Sequence, residues 1–443
     1  MTIRAVIDGG FCIGCGACSA VAPRIRIDFN QTGDLVAVLP DDVTGAELAA
    51  GSAVCPFSAG EDESAIARRV FSGPDARWHD EIGMHVGTHA VFAPAHQARG
   101  SSGGVVTWLL AHLLERGLID FAIHVAPAPS GQNGRFFGYR VSDSAAAVAA
   151  GSTSFYYPVS MDEVLQIVGR QQGRYAITGV PCFHKALRRL RAADAVLDAR
   201  IRYQIGIVCG QMKSAHYLEY LTRRAGADPA LLGSACFRRK VAGRPANDYA
   251  FEAVELRPGS VPRTATVMNS AIGINWGMGY FKPKACEFCD DVMAETADVA
   301  AMDAWLPEFM RDGQGWSLLI NRVPALEAEM HAAAASGALV MQPASAAQVA
   351  ESQRGGLNHR RKGLPYRLWL HRQAWHPPKR ASADRHLPWL LRLEQRLREF
   401  LRARSRELWL RTGHLGRAED FRRGMRIGES AYRWLQRFKR RLS

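Results

Sequence analysis

Eight of the nine cysteines in the chain fall into two groups of four, and thiolates in fours are the ligands of a cubane iron–sulfur cluster. The first group is Cys12, Cys15 and Cys18 in Cys-Ile-Gly-Cys-Gly-Ala-Cys, completed by Cys55 just before Pro56. C-x2-C-x2-C is the bacterial cluster signature. Two residues between ligands let one short loop wrap three corners of a cluster. Gly14 and Gly16 open backbone conformations closed to other residues, so amides can turn toward the cluster sulfides. The two-cluster ferredoxin run continues x3-Cys-Pro, whereas this chain has Ala22-Pro23, which argues for one cluster here, closed by Cys55. Four cysteines also build a closed zinc site, but zinc ribbons pair two separated C-x2-C units, and three cysteines in seven residues favour iron.

The second group is looser. Cys182 lies where a strand expected over Tyr175 to Val180 meets Pro181, and Cys209 ends an apolar strand, Ile205 to Val208. The pair Cys286-Glu-Phe-Cys289 follows. Two strand ends and a C-x2-C loop can converge on one ligand, yet isolated buried cysteines are common and inert, so spacing alone leaves both readings open. Cys236, in Ser-Ala-Cys-Phe, reads as a core residue.

Elements must bring such ligands together, and the pattern is mixed α/β. A chain of 443 residues with 47% hydrophobic content has room for two or three domains. Residues 1–65 read as a small cluster-binding domain, with strands at Arg26 to Phe29 and Asp34 to Leu39 and a helix ending near Ala67. Residues 80–165 read as an α/β block with strands at Ala90 to Pro94, Phe121 to Val125 and Gly138 to Val141. Residues 166–330 carry the second cysteine group, and residues 331–443 read as a linker followed by a basic helical tail.

The loop Arg99-Gly100-Ser101-Ser102-Gly103-Gly104 precedes a strong helix, Val105 to Arg116. Free amides of small residues at a helix start form an anion site, helped by the helix dipole. The loop matches neither the dinucleotide fingerprint nor a Walker sequence. A second small-residue segment, Gly151-Ser152-Thr153-Ser154-Phe155-Tyr156-Tyr157-Pro158, offers hydroxyls and an aromatic ring; each also reads as an ordinary cap or loop. His184 and His216 are candidate proton donors, with structural roles the more common fate of such histidines.

No apolar run reaches the 18 or so residues of a spanning helix, and the first residues lack the pattern of a signal peptide. Closely spaced cysteines without an export signal point to ligands in a reducing cytoplasm, not disulfides. The net charge of +14 is unevenly spread. Residues 354–443 hold 25 Lys+Arg against 7 Asp+Glu, so the remainder is mildly acidic. In Pro388 to Leu401, Trp389, Leu390, Leu393, Leu397, Phe400 and Leu401 share a helical face. Ala431, Trp434, Leu435 and Phe438 share another, with Arg433, Arg437, Lys439, Arg440 and Arg441 around them. Basic amphipathic helices with tryptophan suit an anionic membrane interface; the alternative is that these faces pack on the body. Nucleic acid is disfavoured, since no reading motif accompanies the charge.

Taken together, an ordered set of motifs resembles a known family. The set is Cys-Ile-Gly-Cys-Gly-Ala-Cys, Ser-Ser-Gly-Gly-Val-Val-Thr, Leu118-Ile119-Asp120, Gly-Val-Pro-Cys, Ile-Val-Cys-Gly, Phe237-Arg238-Arg239-Lys240, Cys-Glu-Phe-Cys-Asp290-Asp291 and Ala297-Asp298-Val299. Over roughly residues 8–325 the chain looks like the beta subunit of coenzyme F420 hydrogenases and dehydrogenases, a group that includes ferredoxin-dependent chlorophyll-pathway reductases. The resemblance implies an α+β fold with FAD and two [4Fe-4S] clusters. Electrons would pass between a one-electron carrier such as ferredoxin and a small two-electron acceptor. It places FAD contacts on Ser101, Ser102, Gly103, Gly104, Gly151, Ser152, Thr153, Ser154, Tyr156 and Lys240, and makes Cys182, Cys209, Cys286 and Cys289 a second cluster site. Members usually carry Gly-Asp before the tryptophan where this chain has Met302-Asp303-Ala304-Trp305. No residue here is dedicated to the deazaflavin, and no catalytic acid or base can be chosen. A non-catalytic relay subunit is the other functional reading.

Overall fold

The computed structural model describes residues 2–128, 134–272, 276–413, 416 and 418–442. The N-terminal segment is built around the first cysteine loop. Helix Ile3–Asp8 leads into the loop and the five-residue helix Ala17–Val21 leaves it. Next, β1 (Arg26–Phe29) pairs antiparallel with β2 (Leu35–Val38). Helix Gly45–Val54 starts at a capping box: Thr44 Oγ1 accepts from the Glu47 amide, and the Glu47 carboxylate accepts from the Thr44 amide. Such reciprocal caps satisfy donors that a helix start leaves unpaired, and this one sets the helix that delivers Cys55 at its C-cap. A short hairpin, β3 (Arg77–His79) with β4 (Gly83–His85), leads into the body.

The body is one mixed sheet with an excursion. Its first strands are β5 (Gly87–Phe92), β6 (Phe121–Pro127), β7 (Phe137–Ser142), β8 (Tyr175–Gly179) and β9 (Ile201–Ile207). A separate antiparallel sheet follows: β10 (Leu232–Arg239), β11 (Ala250–Glu255) and β12 (Arg263–Met268). The chain then returns with β13 (Val299–Asp303), β14 (Ser317–Asn321) and β15 (Val340–Pro343), giving the order β15-β5-β14-β13-β9-β8-β6-β7. β6, β8, β9 and β13 run parallel, and the flanking pairings are antiparallel. β8 and β14 are buried along their whole length, as strands covered on both faces must be. Ligands of open α/β sheets gather outside the carboxyl ends of the strands. The loops after β5, β8, β9 and β13, all of one sense, leave from that edge.

The mixed α/β class read from the sequence is the class found. Two local expectations differ. Residues 331–343, read as the opening of a linker, belong to the body: helix Pro324–Ala335 ends there, and β15 pairs with β5 at the sheet margin. The N-terminal segment is also not a separate bead. Phe11, Ile13, Ile25 and Leu35 share a core with Tyr175, Phe183 and Leu187 of the body.

After β15 come helix Ala346–Ser352, helix Arg354–Leu357, a π-helical turn at Asn358–Lys362 and helix Leu364–Leu370. Two long helices then lie side by side and antiparallel, Trp389–Thr412 and Ala418–Leu442, with Trp389 beside Phe438 and Gln436 bonded to Glu394. Leu401, Leu408, Trp409, Phe421, Met425 and Leu435 are buried, most of them against Tyr220, Tyr280 and Phe281 of the body. Trp389, Leu393, Phe400, Ile427 and Trp434 remain exposed. The sequence offered membrane-facing or body-facing helices; each helix has one face on the body and a second apolar stripe outside.

Candidate functional site

The first quartet is assembled as its spacing requires. Gly14 and Gly16 both take positive φ, 61° and 87°. A Cβ on Gly16 would stand 2.4 Å from the Asp162 amide nitrogen, so no side chain fits there. The Cys15 carbonyl accepts from the Met161 amide at 3.1 Å, fixing the loop to the body. Cys15, Cys18 and Cys55 are buried, and each acts electrostatically on the others or on Cys12. The Ala37 amide donates to Cys12 Sγ at 3.2 Å, the kind of N–H···S bond that tunes a cluster. Burial pushes the thiols up, Cys55 to about 11. Such thiols ionise when a metal takes the place of the proton. Gly16→Ala is therefore expected to lose the iron of this site while keeping that of the other, as read by iron per chain.

The second quartet, scattered over more than a hundred residues, converges too. Cys182 sits in the first turn of helix Pro181–Ala193 directly after β8, and Cys209 follows β9. Cys286 lies in a 3-10 turn, Lys284–Glu287. Each of these thiols feels the others: Cys182 is acted on by Cys289, Cys209 and Cys286. The Met212 amide donates to Cys286 Sγ at 3.4 Å. Among the described residues, no three cysteine sulfurs lie within 4.8 Å of one another. Around one zinc, with Zn–S about 2.3 Å, sulfurs would stand only about 3.8 Å apart. No three of these sulfurs are therefore as close together as the ligands of one zinc ion.

The two quartets are neighbours. Cys15 acts on Cys182, and the buried Tyr139 phenol is raised first by burial and then by Cys182 and Cys15 together. Phe11, next to Cys12, meets Phe288, next to Cys289, edge to face at 5.1 Å.

Sequence reading missed the charges that hold the second loop. Glu287, inside Cys286-Glu-Phe-Cys289, is 1% exposed. Its carboxylate lies 2.5 Å from Lys282 Nζ, 3.3 Å from His359 Nε2 and 3.7 Å from Arg402 Nε. Arg367 Nε donates to its backbone carbonyl at 2.7 Å. Three of these four partners come from the basic tail, which composition presents as a solvated surface.

The small-residue loops meet at the same sheet edge, farther along. Gly104, with φ 73°, caps helix Val105–Glu115. A Cβ on Gly103 would come within 2.7 Å of the Val91 carbonyl oxygen. Ser101 Oγ accepts from the Ser154 amide at 2.8 Å and lies 3.4 Å from Thr153 Oγ1. Ser152 Oγ is 2.9 Å from Thr107 Oγ1. Lys240 donates to the carbonyls of Gln97 at 2.5 Å, Ser102 at 2.9 Å and Gln314, so it holds the loop rather than lying free. Burial, then the neighbouring Arg238 guanidinium, pulls Lys240 down to about 8. A cleft beside them is lined by Ser101, Ser102, Arg238, Lys240, Tyr249 and Trp305. Arg238, buried and bonded to Asp303 at 2.7 Å, lies over the Tyr249 ring at 4.7 Å. Tyr156 packs on Trp276 at 4.7 Å and Phe237 at 5.5 Å. The glycine cradle, hydroxyls, cations and rings are the chemistry that a flavin nucleotide with its pyrophosphate needs.

Other candidates resolve differently. His184 is fully buried, bonded to the carbonyls of Gly179 at 3.0 Å and Ile205 at 3.1 Å, with burial pulling it down to about 4. It is a structural group, as is His216, bonded to Glu219 at 3.1 Å and the Gln31 carbonyl at 3.2 Å. Cys236, expected in the core, is only half-buried because β10 is the edge of its sheet; its sulfur stands 3.6 Å from Thr153 Oγ1. His89, Glu327 and His331 also gather their ligand atoms. There His89 Nε2 and Glu327 Oε1 touch at 2.6 Å, a direct hydrogen bond that already satisfies both.

No curated protein sequence matches the chain. Among solved structures, a chain of the F420-reducing [NiFe] hydrogenase complex from Methanosarcina barkeri, from a xenon-derivatization study, aligns at 16% identity with a TM-score of 0.49. The alignment covers 65% of this chain and 94% of that one. Residues 89–166 match the coenzyme F420 hydrogenase/dehydrogenase beta subunit N-terminal family, and residues 172–347 match the C-terminal family of the same subunit. With more than half of its length in these two matches, the chain belongs to the coenzyme F420 hydrogenase/dehydrogenase beta-subunit family of redox enzyme subunits.

Proposed function

We propose that the protein is an iron–sulfur flavoprotein oxidoreductase. In this reading Cys12, Cys15, Cys18 and Cys55 hold one [4Fe-4S] cluster, and Cys182, Cys209, Cys286 and Cys289 hold a second. The loops Ser101–Gly104 and Gly151–Tyr156, the first braced by Lys240, hold FAD. When bound, these groups supply single-electron exchange and two-electron flavin chemistry. The chain's own work is to bind them, keep water from the quartets and set their charge environment. The observation that carries the proposal is the convergence of eight buried or half-buried cysteines into two adjacent quartets. The electron donor is a one-electron carrier of ferredoxin type. The acceptor is a small molecule, with coenzyme F420 and a saccharide-pathway compound as the first two to try. A subunit that relays electrons to a protein partner is the alternative; it predicts bound flavin, a co-purifying partner and no turnover of any small acceptor.

Anaerobic purification followed by assay of iron, sulfide and flavin tests the reading. About eight irons and one FAD per chain support it; zinc without flavin overturns it. A finer test uses pH. Lys240 loses its proton as pH rises through about 8, so FAD affinity falls over that range and Lys240→Met flattens the profile. A flat wild-type profile removes Lys240 from the flavin site.

A second reading concerns place of work, the cytoplasmic face of a membrane. No described helix is long and apolar enough to cross one. Ile427, Ala431, Trp434 and Phe438 recur at 4-3-4 spacing, with Trp389 beside Phe438 and Phe400 beside Gly428. Exposed Arg423, Arg426 and Arg437 flank the stripe. Aromatic residues rimmed by arginine complement anionic headgroups. Co-sedimentation with phosphatidylglycerol vesicles, lost in W389A/W434A and at high salt, is the expected result. Binding unaffected by lipid charge would exclude it.

A further inference from the structure

Arg360 lies beyond both family matches, in the π-helical turn Asn358–Lys362. Extra residues in a helix turn often mark functional positions, and this turn aims three successive side chains inward. His359 reaches Glu287 at 3.3 Å, Arg361 reaches Glu295 at 2.8 Å, and Arg360 lies against the loops that carry Cys209 and Cys289. The Arg360 guanidinium is 2% exposed. It donates to the Gly210 carbonyl at 2.6 Å and the Asp291 carbonyl at 3.2 Å, both beside quartet members, while its buried Nε has no hydrogen-bond partner. Burial opposes its charge, yet Cys289, Cys209, Cys286 and Cys182 all favour it. Acids act on the quartet as well, Asp291 on Cys209 and Asp290 on Cys289, but Arg360 is the larger influence on both thiols. Asp290 pairs with Lys379 and Arg380, and Glu295 pairs with Arg361 and Arg380. On the N-terminal quartet Asp34 raises Cys12, and Arg189 lowers Cys55 by less than burial, two backbone amides and Cys12 act on it.

We propose that Arg360 is a tuning residue that raises the reduction potential of the second cluster above that of the first. The inference rests on the two-cluster reading above. Reducing a cubane cluster adds one electron and one negative charge and moves no atom. A fixed cation beside it in a low-dielectric interior favours the more negative state. The second cluster is thus the electron sink of the pair, filled from the N-terminal one.

Spectroelectrochemical titration of the anaerobic full-length protein, with dithionite as reductant, tests this. Wild type shows two one-electron couples, and the higher is the one absent from Cys209→Ala. Arg360→Gln keeps about eight irons and lowers that couple so that its oxidised-to-reduced ratio at fixed potential changes at least tenfold, about 59 mV. The other couple stays put, and Arg360→Lys leaves both in place. Eight irons with unshifted couples in R360Q overturn the proposal. If R360Q loses four irons, R360K decides: eight irons with unshifted couples support a charge requirement, whereas loss there too makes Arg360 a packing residue and overturns it. A wild type with four irons overturns the two-cluster reading, and this inference with it.

Discussion

Cys286→Ala is expected to remove about four of about eight irons per chain and to leave the other four, with their absorbance, in place. The asymmetry follows from how the quartets are supported. Three ligands of the first come from one seven-residue loop held by Gly14, Gly16 and the Cys15–Met161 hydrogen bond. None of that depends on Cys286. The second quartet takes its ligands from a helix start, a strand end and a 3-10 turn. Removing one leaves a cluster with three thiolates in a buried site. Iron and sulfide assays on the variant and on Cys15→Ala should give complementary losses. A Cys286→Ala protein retaining all its iron would show that the second quartet is a set of inert core thiols.

Glu287→Gln should cost about 3–5 kcal/mol, the range for removing one partner from a buried ion pair. The loss comes from what stays behind. Lys282 is 1% exposed and Arg367 0% exposed, so neither cation can reach water once the carboxylate is gone. Glu287 is held well below the usual carboxylate range: burial works against it, but Lys282 and His359 prevail. A folded value below the unfolded one means that the stabilisation is present at neutral pH and is lost only as pH falls through the folded value. The denaturant midpoint of the variant should drop at neutral pH and converge on wild type in strong acid. An unchanged midpoint would mean that the cations find other partners.

How much of this could be read from residues alone depended on distance along the chain. The first quartet is local, so its spacing reveals it. Strands were legible to within a few residues: Arg26–Phe29 as expected, Tyr175–Gly179 one residue shorter. Cys182, Cys209 and the Cys286/Cys289 pair are joined only by the sheet that aligns the ends of β8 and β9. Arg360 and Glu287 carried no signal, because a count of charges does not tell a buried cation from a surface one. Helical periodicity found the tail helices but cut the first at Leu401, where it continues to Thr412. Its two apolar stripes overlap in sequence, and only packing separates them.

The tail residues that close over the second quartet have a consequence in time as well as in space. Arg360, Arg367, Lys379, Arg380 and Arg402 all follow Cys289 in the chain, so a ribosome completes every cysteine before the parts that cover them. An emerging chain therefore holds all of its cysteines before it holds the residues that pack over the second quartet.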